Sequence, residues 1–303
     1  MVMRTVVCRG VLAALLCLAT VSTNSAAVAG DAKLGDTLTA TVARIEARTG
    51  GRLGVRVTDL ATDQTWSHRG GERFPIASTF KAYSCGHLLS LVDKGQADLG
   101  KRVRVMAGDV LSYAPVTKNR VGGDMTLAEL CEATTSMSDN TAANLILRDT
   151  GGPEAFTRFM RSIGDETTRL DRYEPDLNVV GPGEVRDTTS PDAAAASLRS
   201  LILGDTLSDR SREQLKTWLV NNQVGGPLLR ASLPKEWRIA DRTGSGEYGS
   251  RGVVAVIWPE GNPVPTRGPV VAAVYLTGTT LSLEERNTVI AEVGAAMARD
   301  LQR

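Results

Sequence analysis

Ser78 and Lys81 stand one helical turn apart in the stretch Ser78-Thr79-Phe80-Lys81. On a helix, positions i and i+3 share a face, so the amine can reach the hydroxyl. A serine hydroxyl is a weak nucleophile until a neighbouring base takes its proton. The pair therefore has the makings of an acylatable serine. Taken alone, a Ser-x-x-Lys is ordinarily a solvated helix face. A second copy, Ser232-Leu233-Pro234-Lys235, is spoiled by its proline and loop-like setting. Pro75, just upstream of the first copy, suits the entry to a helix.

Three further pieces change that reading. Ser138-Asp139-Asn140 offers a second hydroxyl, able to pass a proton to a leaving group, and an amide that both donates and accepts. Its bland explanation is a helix N-cap, a job that suits Asp139. Arg242-Thr243-Gly244-Ser245-Gly246 offers a fixed cation and hydroxyls that can grip a carboxylate. Gly244 and Gly246 would let a ligand approach the backbone closely; the alternative is a turn with an exposed arginine. Glu174 and Asn178 are four apart and could hold one water between them, with Glu174 as its general base. Pro175 permits a cis bond that would aim the carboxylate inward. Arg172 and Asp187 bracket a compact Ω-loop and are expected to pair at its neck. By itself that loop would read as a surface segment with scattered charges. In this order the four pieces make an acyl-transfer site for an anionic substrate.

Two look-alikes are excluded by context. Residues 244–249 match G-x-G-x-x-G, but a strand pattern follows instead of a helix, so no dinucleotide fingerprint is present. Residues 95–101 (GQADLGK) imitate a phosphate loop, yet Arg102 stands where Ser or Thr is required.

The elements that must position these groups follow from periodicity. Leu38, Val42 and Ile45 share one face of a helix over 37–48, stopped by Gly50-Gly51. Leu53, Val55 and Val57 alternate in a strand over 52–60, followed by a short strand over 65–68. From about 76 to 220 the pattern is helical. Helices are expected over 126–134 with a capping box, over 139–149, over 153–163 with Pro153 in the first turn, and over 191–203 and 208–220. Strands return over 237–243, 252–258 and 269–276, and an amphipathic helix over 283–302 closes the chain. Strands at both ends with helices between imply an α+β fold: one antiparallel sheet built from both termini, with a helical block inserted. A cleft at their junction is a usual place for a small-molecule site.

At 303 residues the chain can bury one large core or two joined ones. A net charge of +1 argues against a nucleic-acid partner. Only His68 and His87 are present, which disfavours a His-rich metal site or a Ser-His-Asp triad. Residues 1–29 read as a secretory signal, with Arg4 and Arg9, an apolar run over 11–21, and Ala27-Val28-Ala29 as the cleavage site. The run is too short to span a bilayer, so no membrane association is expected after its removal. Cys85 and Cys131 then remain. An even count in an oxidising compartment suggests one disulfide, the alternative being two buried thiols.

Together the motifs Ser78/Lys81, Ser138/Asp139/Asn140 and Arg242/Thr243/Gly244, with the Glu174 loop, resemble the class A serine β-lactamases. Tyr113 and the pair Cys85 and Cys131 also fall where that family would place them, and the likeness covers essentially all of the mature chain. The resemblance implies an α/β sandwich domain over 30–76 and 221–303 with a five-stranded antiparallel sheet, an all-α domain over 77–220, and the active-site cleft between them. It implies that Ser78 attacks the lactam carbonyl, activated by Lys81 or by Glu174 through water, and that Ser138 protonates the lactam nitrogen. The N–H groups of Ser78 and Ser245 would form the oxyanion hole, and Glu174 with Asn178 would activate the hydrolytic water. Asn140 would hold the acylamide side chain. Ser138, Arg242, Thr243, Gly244, Ser245 and Arg251 would frame the substrate carboxylate, and Tyr113 would flank the cleft mouth. No metal and no cofactor are implied, and a periplasmic or secreted monomer is expected.

One departure matters. Arg242 stands where most of the family has Lys. That form resembles the carbenicillin-hydrolysing subgroup, which points to penicillins and carboxypenicillins as substrates, over bulky cephalosporins, and to antibiotic resistance as the outcome. The rival readings are a D,D-peptidase that stays acylated and a β-lactam-sensing receptor domain. Glu174 separates the enzyme from both, since it is the device that clears the acyl group.

Overall fold

A computed structural model of the chain describes residues 1–2, 34–260 and 268–302. The expected secretory leader lies almost wholly outside the described residues. In chain order the elements are α1 (Asp36–Thr49), β1 (Arg52–Asp59), β2 (Gln64–His68), β3 (Phe74–Pro75), α2 (Phe80–Asp93), β4 (Arg102–Arg104), β5 (Asp124–Thr126), α3 (Leu127–Ser136), α4 (Asn140–Asp149), α5 (Gly152–Ser162), β6 (Thr188–Thr189), α6 (Pro191–Leu203), α7 (Asp209–Val220), β7 (Arg238–Ser245), β8 (Arg251–Trp258), β9 (Val270–Thr277) and α8 (Leu283–Leu301).

Among the described residues, β2, β1, β9, β8 and β7 form a five-stranded sheet in that order, with every neighbouring pair antiparallel. It is built from both ends of the chain, as the strand pattern requires. β8 and β9 are buried on both faces, which is why they read as continuous Val/Ala runs. Val253, Ala255 and Ile257 pack into one core with Leu38, Val42 and Ile45 of α1 and Val289, Ile290 and Val293 of α8. Val254 and Val256 face a second core, shared with the helices that follow β3. Each such Val, Leu or Ile contributes about 1.5–3 kcal/mol on burial, so three of them anchor α1 firmly.

α1 lacks a capping side chain of its own, because Gly35 precedes it. The Asp300 carboxylate near the end of α8 accepts instead from the N–H groups of Gly35 (3.1 Å), Thr37 (2.9 Å) and Leu38 (3.1 Å). It thereby satisfies orphan donors and places a negative charge at a helix N-terminus. α2 is buried from Phe80 to Ser90 and forms the axis of the helical part. A Cys85–Cys131 disulfide ties α2 to α3, deciding between the bridge and the free thiols.

Two ribbons escaped the periodicity. β3 pairs with β6 and β4 pairs with β5, over two and three residues. Strands that short carry no period to detect.

Candidate active site

Ser78 does not sit inside the helix. It lies on a 3-10 turn, Ala77–Thr79, between β3 and α2, and Lys81 falls in the first turn of α2. Ala77 holds φ at 42°, a left-handed conformation that costs an L-residue about 1 kcal/mol. Thr79 fixes the turn from behind: its hydroxyl lies 2.5 Å from Ile76 O and 3.0 Å from the buried Tyr275 hydroxyl. β7 is an edge strand, and its end runs beside this turn. A Cβ at Gly244 would come within 3.0 Å of Ser78 N, and one at Gly246 within 2.8 Å of Asn178 O. Contacts within the protein therefore constrain these glycines as well, beside the ligand approach expected of them.

Lys81 is fully buried. Its ammonium donates to Ser138 O (2.9 Å), Ser138 Oγ (3.3 Å) and Asn140 Oδ1 (2.6 Å), and it lies 3.2 Å from Glu174 Oε1. Burial pushes its pKa down to about 8; the Glu174 carboxylate opposes that shift and the Arg242 cation adds to it. The expected Ser78–Lys81 hydrogen bond is replaced by another. Ser78 Oγ donates to Glu174 Oε1 at 3.3 Å, so the carboxylate stands between the hydroxyl and the amine.

Glu174 arrives on a tightly held loop. Arg172 Nε donates to Asp187 Oδ2 at 2.6 Å, and Asp187 Oδ1 accepts from the N–H groups of Asp171 and Arg172 at 2.7 and 3.0 Å. The neck of the loop is thus pinned by a buried carboxylate, as its charges suggested. The Glu174–Pro175 bond is cis. Asn144 holds the Glu174 backbone on both sides, accepting from its N–H (3.0 Å) and donating to its carbonyl (2.9 Å). Asn178 Nδ2 donates to Glu174 Oε2 at 2.5 Å, while Asn178 Oδ1 is buried without a partner among the described residues.

Ser138 lies at the foot of α4 with φ 61°. Asp139 caps that helix through Ala142 N (2.9 Å). The same carboxylate accepts from the N–H groups of Val116 and Thr117, and Asn140 N donates to Tyr113 O. The cap therefore also holds the loop that presents Tyr113, which is 47% exposed at the rim.

Arg242 is buried beneath the cleft and does not line it. It donates through Nη2 to Ser138 Oγ, and its Nε and Nη1 are buried without partners among the described residues. Burial lowers its pKa to about 10, against the pull of Asp241. Arg251 is lowered to about 10, again by burial first and then by Arg286; it donates to Gly244 O (2.9 Å) and Asn287 Oδ1 (2.8 Å).

The resulting cleft has a volume of about 300 Å³. Ser78, Ser138 and Asn140 line one side, and Thr243, Ser245 and Arg251 the other, with Asn178, Tyr113 and Gly244 also at its surface. The structure so brings the predicted residues together, with Lys81, Glu174 and Arg242 just behind the surface. The sequence reading missed Asn144, Thr79 with Tyr275, and Asn287. Asn144 alone left a signal, since it stands one helical turn beyond Asn140 and shares its face. The site offers a hydroxyl beside a carboxylate and an ammonium, a second hydroxyl held between two cations, and a cationic wall. That is equipment for acyl transfer from an anionic substrate.

Comparison with known proteins agrees. The Beta-lactamase enzyme family matches residues 37–301. Beta-lactamase AER-1 of Aeromonas hydrophila is 47% identical over 247 residues, which cover 81% of this chain and 80% of that protein. Beta-lactamase PSE-4 of Pseudomonas aeruginosa is 44% identical, covering 84% of this chain and 86% of its own. The solved class A β-lactamase of the last common ancestor of Gram-negative bacteria superimposes with a TM-score of 0.84 at 50% identity, over 88% of this chain and 99% of that one. With its serine, lysine and glutamate in contact and its fold shared, this chain belongs to the β-lactamase enzyme family, as a class A serine hydrolase of β-lactam rings.

Proposed function

We propose that the enzyme opens penicillins and carboxypenicillins through an acyl-enzyme on Ser78 and so confers resistance to them. The observation that carries the reading is the Ser78–Glu174–Lys81 contact, with the carboxylate 3.3 Å from the hydroxyl and 3.2 Å from the amine. Ser78 Oγ attacks the lactam carbonyl and gives its proton to the Glu174 carboxylate, which the Lys81 ammonium steadies. The N–H groups of Ser78 and Ser245 take the developing oxyanion, a role supported by the close approach of β7 to the Ser78 turn. Ser138, held by Lys81 and Arg242, delivers a proton to the lactam nitrogen and regains one from Glu174 through the Lys81 ammonium, which touches both and so restores the carboxylate. Glu174 then acts as base for a water placed with Asn178, whose free Oδ1 supplies an acceptor.

Thr243, Ser245 and Arg251 face the substrate carboxylate directly, and Arg242 supports it electrostatically from below. Asn140 holds the acylamide group and Tyr113 flanks the mouth. The leaning to carboxypenicillins rests on Arg242, a permanent cation where a second carboxylate must be tolerated. The enzyme works as a monomer in the periplasm or outside the cell; no described helix is long and apolar enough to cross a membrane.

The test is intact mass spectrometry with Ser78→Ala, together with steady-state rates on carbenicillin, benzylpenicillin and an oxyimino-cephalosporin. The variant should take up no penicillin, and the parent should favour the first two substrates. A covalent adduct on Ser78→Ala would move the nucleophile elsewhere.

A further inference from the structure

A larger cavity, about 400 Å³, opens against the loop that carries Glu174 and shares no lining residue with the catalytic cleft. Val180, Gly181, Pro182 and Gly183 form one wall. Tyr248 and the end of β9 form another. The Tyr248 ring is half exposed and lies so close to the loop that a Cβ at Gly181 would be 3.3 Å from it. This is an apolar slot of the size that takes a two-ring molecule.

Its rim is cationic. Arg52 and Arg73 line it, together with Glu184. Glu184 is already bound by Arg186 at 2.5 Å, which holds its carboxyl down at about 2. Arg52 donates from Nη2 to Glu72 (2.9 Å) and Arg73 O (3.2 Å), and Glu72 also serves Arg69. Arg73 donates from Nη1 to Thr167 O and Thr188 Oγ1. Arg52 is paired with Glu72 and Glu184 with Arg186, whereas Arg73 bonds only neutral acceptors, so a positive excess remains at the mouth. An apolar slot with that rim fits a planar aromatic ring bearing one carboxylate.

The cavity adjoins the seam that sets Asn178. Glu247 N donates to Asn178 O at 3.0 Å, and Gly246 abuts the same carbonyl. Val180 to Gly183 follow Asn178 in the loop, separated from it by Val179 alone. A ligand spanning Tyr248 and this wall would hold the two sides of the seam together.

We propose that this cavity is a second ligand site, for a small aromatic monocarboxylate, and that its occupancy clamps the loop carrying Glu174 and Asn178. The clamp rests on the function proposed above; the site does not. Titration of 15N-labelled enzyme with 2-naphthoate tests the site. Saturable amide shifts are expected at Gly181, Gly183, Tyr248 and Gly278, with Ser138 and Ser245 unmoved. Neutral 2-naphthamide, and 2-naphthoate on Arg52→Gln, should each bind at least about tenfold more weakly, the loss of a charge-assisted contact. Shifts centred on Ser138 and Ser245, no saturation at millimolar probe, or equal binding of the amide would each overturn the site. The clamp is read from benzylpenicillin turnover at saturating 2-naphthoate. An unchanged KM and a kcat altered at least about twofold are expected. An unchanged kcat with the NMR shifts in place overturns the clamp, and a rise in KM alone places the probe in the catalytic cleft and overturns the site.

Discussion

Glu174→Ala should separate the two halves of the cycle. The carboxylate touches Ser78 Oγ at 3.3 Å, Lys81 Nζ at 3.2 Å and Asn178 Nδ2 at 2.5 Å. Removing it does not strand the ammonium. Ser138 O, Ser138 Oγ and Asn140 Oδ1 remain as three acceptors for its three N–H donors. Nor does it free the loop, because Asn144 binds only the backbone of residue 174 and Asp187 still pins the neck. The variant should therefore fold with Ser78 in place. Acylation keeps a substitute base: burial already lowers Lys81 to about 8, and losing the carboxylate that opposes this lowers it further. The hydrolytic water has no substitute. Loss of a positioned general base costs about 10²–10⁴-fold, or about 3–5 kcal/mol in the barrier. Rapid quenching after mixing with benzylpenicillin, followed by intact mass spectrometry, should show the whole enzyme carrying one penicilloyl group, with kcat reduced by that factor. Parent-like turnover with no trapped adduct would refute the role given to Glu174.

Three further outcomes follow from the buried charges. Every bond of Lys81 is a donation, so the resting amine is an ammonium; with its pKa near 8, kcat/KM should fall as pH rises through 8, and a profile that rises there would make the neutral amine the working base. Arg242→Lys places an ammonium where burial depresses even a guanidinium to about 10, so the new side chain should lose its charge near neutrality; KM for carbenicillin should climb above about pH 8 in the variant and stay flat in the parent, and two parallel profiles would count against the permanent-charge argument. His87 is buried, stacked 4.7 Å from Phe159 with Nδ1 unpartnered, and its pKa is pushed down to about 4 by burial and then by Lys94 and Arg158. The unfolded chain protonates it first, so its contribution is complete above about pH 6.5 and is lost as pH falls towards 4, by at most about 3 kcal/mol. Urea denaturation across that range should show a shallower slope for His87→Phe, and identical slopes would exclude it.

The helices and central strands were legible because each carries its own period and its own stops. Gly50, in the left-handed conformation after α1, ends that helix where the sequence said it would. The catalytic groups were legible as types and spacings. Their contacts were not, because those depend on partners far along the chain. Nothing near Ser78 announces that its hydroxyl will meet Glu174 before Lys81, since that follows from where the 172–187 loop docks. Asp300 capping α1 is equally silent, as it depends on α8 returning beside the N-terminal helix. Gly244 was read as a courtesy to a ligand, although a constraint on it comes also from Ser78 N.

Asp241 and Arg242 show why adjacency in sequence misleads about charge. Side by side they look self-neutralising. On a strand, successive side chains point to opposite faces. Asp241 pairs in register with Ala255, on the face that packs against α1 and α8, and Arg242 with Val254, on the face toward α2 and α4. The hydrogen bonds of Asp241 go to Arg230 (2.7 Å) and Asn222 (3.0 Å), away from its neighbour. Arg242 therefore feels the carboxylate through the sheet without bonding to it, and keeps Nε and Nη1 unsatisfied in a buried setting. An unpaired buried cation is costly, and removing its charge or bringing an anion to it are the two remedies. A guanidinium resists the first. The proposed substrate carboxylate supplies the second, so the buried charge of Arg242 favours binding of the anion that the reaction consumes.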